Sequence, residues 1–316
     1  MSRTTLLRAT LVLVAWIVLA TFPQWSTFWE SSRFASGIIR QILIFAIFAS
    51  SLNLLVGYAG LPSLGHAAFF GGGAYAAAIA AERLGTDQLV VSLGAGILGA
   101  ALLALVVGFL AVRALGIFFL MLTLALAQMV FAIAFQATEL TGGSNGFSGV
   151  HRPALFGMDF NAPTDLYLLA CVTFLLVVLL LWRVVTSSYG RALVGVRENE
   201  RRMRALGYDT RTLKLSAFVL AGAIAGIAGA LSSYEFRFVS PNDVALGTSV
   251  TGFVMVLIGG AGTLLGPVLG AAVVLLIERV LPSGLPAQTV LGVVFILFVV
   301  FARQGIAGAL HRVARV

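Results

Sequence analysis

The chain has 316 residues, of which 60% are hydrophobic and only 10% are charged, and its formal net charge is +8. A soluble domain carries roughly 25% charged residues because its surface faces water, so this composition excludes an ordinary soluble protein. The basic residues stand between apolar runs rather than on one soluble face, which argues against nucleic acid as a partner and for a lipid bilayer.

The predicted elements are membrane helices. Only helices and closed barrels satisfy the backbone polar groups inside a bilayer, and strand-like alternation does not recur here. Apolar segments follow one another at 9–22, 37–56, 63–81, 89–112, 115–136, 165–185, 213–236, 248–258, 264–281 and 287–302. The sequence therefore predicts an all-α, polytopic integral membrane protein that forms a single transmembrane domain over residues 1–316. We expect about ten transmembrane helices, with a range of eight to ten, and read the first as an uncleaved membrane helix.

The distribution of Arg and Lys predicts the orientation, because cations concentrate in cytoplasmic connections. If the N-terminus is cytoplasmic and each segment crosses once, fourteen of the twenty cations lie inside. The basic cluster at 183–214 dominates this count, and no other connection compensates for it in the opposite orientation. We therefore expect both termini to be cytoplasmic.

Two connections between the apolar segments are long. Residues 137–164 are predicted to form an extracytoplasmic, turn-rich loop. Residues 186–212 are predicted to form a cytoplasmic loop, in which 196–206 make one short helix that Gly207 stops and Asp209 caps the next helix. This short helix is either a binding site for another protein or a basic membrane anchor without a partner.

Glycine interrupts the apolar pattern twice in a similar way. The sequences GYAG at 57–60 and GGAG at 259–262 both fall between apolar segments, and a proline follows each. Paired interruptions of this kind indicate a transport site where irregular backbone lines a cavity. Two tight turns at the cytoplasmic membrane surface are the other interpretation. Elsewhere, small residues stand four apart, the spacing that lets membrane helices pack closely: Gly222 and Gly226, Ala225 and Gly229, and Gly262, Gly266 and Gly270.

Polar residues inside the apolar segments are few, and none is a central carboxylate of the kind that ion-coupled carriers need. Among them, Gln128 and Thr123 stand in the fifth segment. The candidates that we assign to a translocation pathway are Asn53, Tyr58, Ser63, His66, Phe69, Phe70 and Tyr75. A lone histidine such as His66 is also commonly hydrogen-bonded into packing. The sequence contains no metal-ligand spacing, no nucleotide-binding motif and no catalytic constellation, so we expect neither enzyme activity nor a cofactor in this chain.

Several motifs together resemble one family. They are LNLLVGYAG at 52–60, SLGHAAFFG at 63–71, LTGGSNG at 140–146, GRA at 190–192, RENE at 197–200, ALGY at 205–208, KLSAF at 214–218, AGIAGAL at 225–231 and GGAGTLLGP at 259–267. With them the chain resembles the LivM-type permease subunit of branched-chain amino-acid ABC importers, a family that also includes urea, amide and aromatic-acid permeases. Leu61 and Pro62 depart from the usual pattern of that family after Gly60, which leaves the substrate open.

The resemblance implies partners and roles. A LivH-type second permease, two cytoplasmic ATPase subunits that use ATP, and an extracytoplasmic solute-binding protein would complete an importer in a bacterial-type cytoplasmic (inner) membrane. The residues that would contact the ATPase are Arg197, Glu198, Asn199, Glu200, Arg201, Leu206 and Gly207. The residues that would contact the binding protein are Thr141, Gly142, Gly143, Ser144 and Asn145.

Two other functions remain open from the residues. The sparse charge inside the apolar segments also suits an ATP-independent channel or facilitator for a small polar solute. A membrane enzyme is the third alternative, and the missing catalytic constellation argues against it.

Overall fold

The computed structural model describes residues 32–85, 88–114, 116–155 and 158–280, together with short stretches between 289 and 308. Its α-helices are α1 (Ser32–Asn53), α2 (Ala67–Leu84), α3 (Leu89–Ala111), α4 (Ile117–Gln136), α5 (Thr138–Thr141), α6 (Pro163–Thr186), α7 (Ser188–Glu198), α8 (Glu200–Ala205), α9 (Thr210–Phe236), α10 (Leu246–Gly259) and α11 (Gly266–Val280). A π-helical turn, Leu54–Ala59, continues α1, and two 3₁₀ turns lie at Gly143–Asn145 and Pro241–Val244.

The described part of the chain is helical, as the sequence predicts. Five of its helices are long and apolar enough to cross a membrane, and they occupy Ser36–Ala59, Leu89–Ala111, Ile117–Gln136, Pro163–Thr186 and Thr210–Phe236. Eight predicted segments coincide with α1, α2, α3, α4, α6, α9, α10 and α11. The predicted segment 9–22 and both chain termini lie outside the described residues, as does most of 287–302. The count of ten crossings and the orientation therefore stay predictions.

Helix α9 is the centre of the bundle and packs against α2 and α3, while α1 packs against α6, α9 and α11. Glycines allow these close crossings. A methyl group on Gly229 would overlap the carbonyl oxygen of Phe70, and one on Gly226 would overlap Ala100. The small-residue spacing predicted for helix packing is thus used for that purpose, because the backbones of α2, α3 and α9 meet directly.

An ion pair ties the end of α9 to α1. Arg40 donates from Nε to Glu235 Oε2 at 2.7 Å and from Nη2 to Glu235 Oε1 at 2.9 Å. Its Nη1 also donates to the carbonyl of Pro163, which is the first residue of α6, at 3.1 Å. The two charged side chains are 9% and 8% exposed, so this bidentate pair is buried where three helices meet.

The predicted loop at 137–164 contains short ordered elements. They are α5, the first 3₁₀ turn, β1 (Phe147–Ser148), β2 (Ala154–Leu155) and β3 (Met158–Asp159). Strand β1 pairs antiparallel with β4 (Phe238–Val239), which follows α9, and β2 pairs with β3. The loop is therefore held against the end of α9 near the Arg40–Glu235 pair.

Two sequence-based boundaries are wrong. The third apolar segment does not begin its helix at Ser63, because residues 60–66 have no regular secondary structure and α2 begins at Ala67. The stretch 196–206 is two helices, since Asn199 takes an extended conformation and its Oδ1 accepts a hydrogen bond from Arg202 N at 2.9 Å. Asparagine is a strong helix N-cap, so it starts α8 rather than continuing α7. The predicted cap at Asp209 is confirmed by hydrogen bonds from the amides of Arg211 and Thr212.

Candidate functional site

The two glycine interruptions lie side by side, although about two hundred residues separate them in sequence. Asn53 joins them: its Nδ2 donates to the carbonyl of Thr263 at 2.8 Å, and its Oδ1 accepts from Gly262 N at 2.8 Å. A methyl group on Gly57 would overlap both the Asn53 side chain and the Gly262 backbone. We call this contact the glycine junction and define it by Asn53, Gly57, Gly60, Gly262 and Thr263.

Arg197, the penultimate residue of α7, reaches the glycine junction. Its Nη1 donates to the carbonyl oxygen of Gly57, and its Cγ and Cβ lie so close to Gly60 that no side chain fits there. Gly60 also has a φ of +69°, which favours glycine. The junction therefore adjoins the predicted cytoplasmic loop, which agrees with the interpretation of the interruptions as turns at the cytoplasmic surface. A pathway role for the junction stays a prediction.

Four pathway candidates lie in the interior of the chain. They are Ser63, His66, Phe69 and Phe70, and each is at most 1% exposed. His66 Nε2 is hydrogen-bonded to Ser51 Oγ at 2.8 Å, and its ring lies 5.5 Å from the rings of both Phe48 and Phe69. Next to it, Ser249 Oγ accepts from Ala67 N at 2.9 Å and so caps the start of α2. The irregular segment 60–66 is thus largely covered by protein, since its residues after the exposed Gly60 are buried or half-buried.

The other three pathway candidates lie at two places. Asn53, which belongs to the glycine junction, and Tyr58 both border a recess that Ser50, Leu181 and Leu264 also line. Tyr75 is 5% exposed, and its hydroxyl has no hydrogen-bond partner among the described residues. The seven candidates therefore do not share one cavity in the described part of the chain. Sequence reasoning missed Ser51 and Ser249, whose serine side chains give no signal within an apolar run.

The residues predicted to contact the ATPase divide into two groups. Arg197, Glu198, Asn199, Arg201, Leu206 and Gly207 are exposed. Glu200 instead turns inward, where Lys214 Nζ donates to its Oε2 at 2.6 Å and Arg204 Nη2 donates to its Oε1 at 2.6 Å. The Lys214 side chain is only 5% exposed. Glu200 therefore holds α8 on α9, and Leu206, at 66% exposure, is the large apolar side chain that this surface presents.

The Glu200 cluster makes stability depend on pH. Partial burial alone would raise the pKa of Glu200, but hydrogen bonds from Lys214, Arg204 and Thr210 outweigh it and lower the pKa below the ordinary 4.5. Because the folded pKa is depressed, the stabilisation is present above the unfolded value and is lost as the pH falls through the folded one. We expect the melting temperature to fall below about pH 4.5, and this fall to be smaller in Glu200→Gln. Glu198→Gln, at an exposed neighbour, should keep the wild-type pH profile, and equal profiles for all three proteins would contradict the assignment.

The residues predicted to contact a binding protein are only partly accessible. Ser144 and Asn145 are exposed, whereas Thr141 and Gly143 are buried. Thr141 Oγ1 donates within the turn to the carbonyls of Ala134 and Ala137, and Gly142 has a φ of +75°. Thr141 and Gly142 thus shape the turn that presents Ser144 and Asn145. Contact with a binding protein stays a prediction, and no group of side chains suited to a metal ion occurs among the described residues.

Comparison with known proteins identifies the family to which this chain is similar. Residues 34–302 match the family described as branched-chain amino acid transport system / permease component. The high-affinity branched-chain amino acid transport system permease protein LivM of Escherichia coli K12 is 31% identical over 94% of this chain and 74% of its own length. A probable LivM of Methanocaldococcus jannaschii is 29% identical over 78% of this chain and 81% of its own. The autoinducer 2 import system permease protein LsrC of Escherichia coli O9:H4 is 28% identical over 41% of this chain and 37% of its own. No solved structure matches the chain.

Proposed function

This chain belongs to the family of permease components of branched-chain amino acid transport systems, and we propose that it is one of two permease subunits of an ABC importer. With a LivH-type second permease it forms the path for branched-chain amino acids or a related small amide or carboxylate. Two cytoplasmic ATPase subunits bind and hydrolyse ATP, so this chain itself needs no cofactor, and an extracytoplasmic binding protein delivers the solute. Ten membrane crossings with both termini in the cytoplasm of a bacterial-type cell complete the proposal.

The observation that carries this proposal is the contact between α7 and the glycine junction. Helices α7 and α8, with Leu206 directly after α8, form the exposed surface that includes Glu198, Arg201 and Leu206. At the end of the same α7, Arg197 is bonded to Gly57. A movement of this surface is therefore transmitted to the glycine junction, where the π-helical turn after α1 and helix α10 end and α11 begins. An importer driven by a separate ATPase needs a connection of this kind, because such a subunit must convert a cytoplasmic movement into a change of helix positions.

The ATPase contact is tested by Leu206→Asp with Leu84→Asp as a matched control. Both leucines are 66% exposed, but Leu84 ends α2 whereas Leu206 directly follows α8. Since burial of a leucine contributes about 1.5–3 kcal/mol, Leu206→Asp should weaken ATPase binding roughly tenfold or more. Leu84→Asp should leave it unchanged. Co-purification of the ATPase chains with each full-length variant measures the effect, and equal recovery with both variants would contradict the docking surface.

Transport itself is tested in liposomes that contain the assembled complex. We expect uptake of radiolabelled leucine with the binding protein to require both ATP and the ATPase chains. Loss of uptake when the ATPase chains are omitted supports the importer. Downhill leucine flux through the purified chain alone would instead favour the ATP-independent facilitator, and unimpaired concentrative uptake without any ATPase would overturn the proposal.

A further inference from the structure

The exposed faces of the long helices differ in chemistry. On α3 the exposed large side chains include Leu98, Leu102 and Val106, and on α6 they include Val172, Leu176 and Leu179. These two faces are apolar through the central turns, which suits contact with lipid tails. Helix α4 is equally apolar in composition, but its exposed side also carries a polar side chain near the middle of the helix.

Gln128 stands on the exposed side of α4, near its middle. It is the twelfth of the helix's 20 residues, which is about 16 Å from the start at 1.5 Å per residue. The residues that share its stripe, at spacings of four, three, four and four, are Met121, Ala125, Gln128, Ala132 and Gln136. All but the half-buried Ala132 are exposed. The Gln128 amide has no hydrogen bond with any described residue. Exposing an unpaired amide to hydrocarbon costs about 4–8 kcal/mol, so this stripe does not face lipid tails.

The opposite side of α4 packs on the interior of the chain. Its buried residues are Phe119, Thr123, Ala127 and Ala134. Gly65 of the irregular segment 60–66 lies directly against Thr123 and Ala127, and a methyl group on Gly65 would overlap the Thr123 carbonyl. The same segment begins at Gly60, beside Arg197. One side of α4 therefore packs on segment 60–66, which leads to the glycine junction, and the opposite side carries Gln128.

Resting on the function proposed above, we propose that the α4 stripe Met121, Ala125, Gln128, Ala132 and Gln136 is one wall of a water-filled solute path, with the Gln128 amide as a mid-depth binding group. A glutamine amide offers both a donor and an acceptor, so it pairs with the carboxylate and the ammonium group of a zwitterionic amino acid alike. It carries no charge, and so it holds the solute without trapping it. The neighbouring alanines leave room for the solute beside the amide.

Single-cysteine accessibility tests this wall. Cys171 is the only cysteine of the chain and is buried, so Cys171→Ser provides a background without an exposed thiol. In that background Gln128→Cys is compared with Leu102→Cys and Leu176→Cys, which replace side chains that are 62% and 60% exposed on α3 and α6. The assembled complex is treated with a membrane-impermeant methanethiosulfonate reagent. Because only a thiolate in water reacts, we expect Gln128→Cys to react roughly tenfold faster than either control and to be protected by substrate.

A second variant separates the path from a dry contact between the two permeases. Gln128→Leu should assemble with the ATPase chains but raise the KM for uptake or abolish uptake, whereas Leu102→Ala, on the apolar face of α3, should leave the KM unchanged. If Gln128→Cys reacts as slowly as the two controls in a complex that still transports, the path lies elsewhere and the importer function stands. If the wild-type complex assembles but shows no ATP-dependent uptake, the proposed function itself fails.

Discussion

Gly229→Ala should strongly impair folding of the membrane bundle, because the added methyl group would meet the backbone of α2. The new Cβ would overlap the carbonyl oxygen of Phe70 and lie 2.8 Å from its carbonyl carbon and 3.0 Å from Ala74 N. Backbone cannot rotate away as a side chain can, so α2 and α9 must separate where they cross. Overpacking of this kind costs about 1–3 kcal/mol or more, a large share of a total stability of about 5–15 kcal/mol.

The control for this substitution is Gly94→Ala in α3. Apart from its chain neighbours and its own helix backbone, nothing lies within 4 Å of a methyl group at Gly94. Alanine favours a helix over glycine by about 1 kcal/mol, so this variant should be neutral or slightly more stable. Thermal unfolding in detergent, followed by size-exclusion fluorescence, compares the two variants directly. Equal melting temperatures would show that the α2–α9 crossing tolerates separation and would contradict the packing argument.

Removing one partner of the buried Arg40–Glu235 pair should be the other large effect. Both side chains are nearly enclosed, so Arg40→Gln leaves an unpaired carboxylate and Glu235→Gln leaves an unpaired guanidinium. Breaking a buried pair in this way costs about 3–5 kcal/mol. Glu235→Gln should be the worse of the two, because Arg152 and Arg237 lie nearby and Glu235 offsets their mutual repulsion.

The surroundings of Arg152 support that order. Partial burial and the neighbouring charge of Arg237 lower the pKa of Arg152, Glu235 raises it, and Arg40 lowers it. The double variant Arg40→Gln/Glu235→Gln removes both charges and should recover much of the lost stability. Melting temperatures of the three variants form a double-mutant cycle with the wild type. Additive losses in that cycle would show that the two side chains do not act as a pair.

Glu200 shows why a motif does not reveal the role of each of its residues. The sequence RENE at 197–200 predicts four residues at one partner surface, since they are adjacent and polar. In the structure Arg197 reaches the glycine junction, Glu198 points to solvent, Asn199 caps α8 and Glu200 pairs with Lys214. Because the chain turns at Asn199, Arg197 and Glu198 belong to α7 and Glu200 belongs to α8, so their side chains point in different directions. A charge reversal at Glu200 would therefore disrupt the loop itself, and Leu206 is the better probe of docking.

The sequence by itself determined the all-α membrane architecture, the positions of most helices and the close packing of α9, because each follows from local composition, period or spacing. The tertiary structure alone decided that the two glycine interruptions touch through Asn53, that His66 is enclosed and that Gln128 faces outward. Those facts depend on which distant helices become neighbours, and a local pattern does not encode a contact between residues 53 and 262. Residues 57–60 and 259–262 each predicted a break in a helix, whereas only the tertiary structure brought the two breaks together beside Arg197.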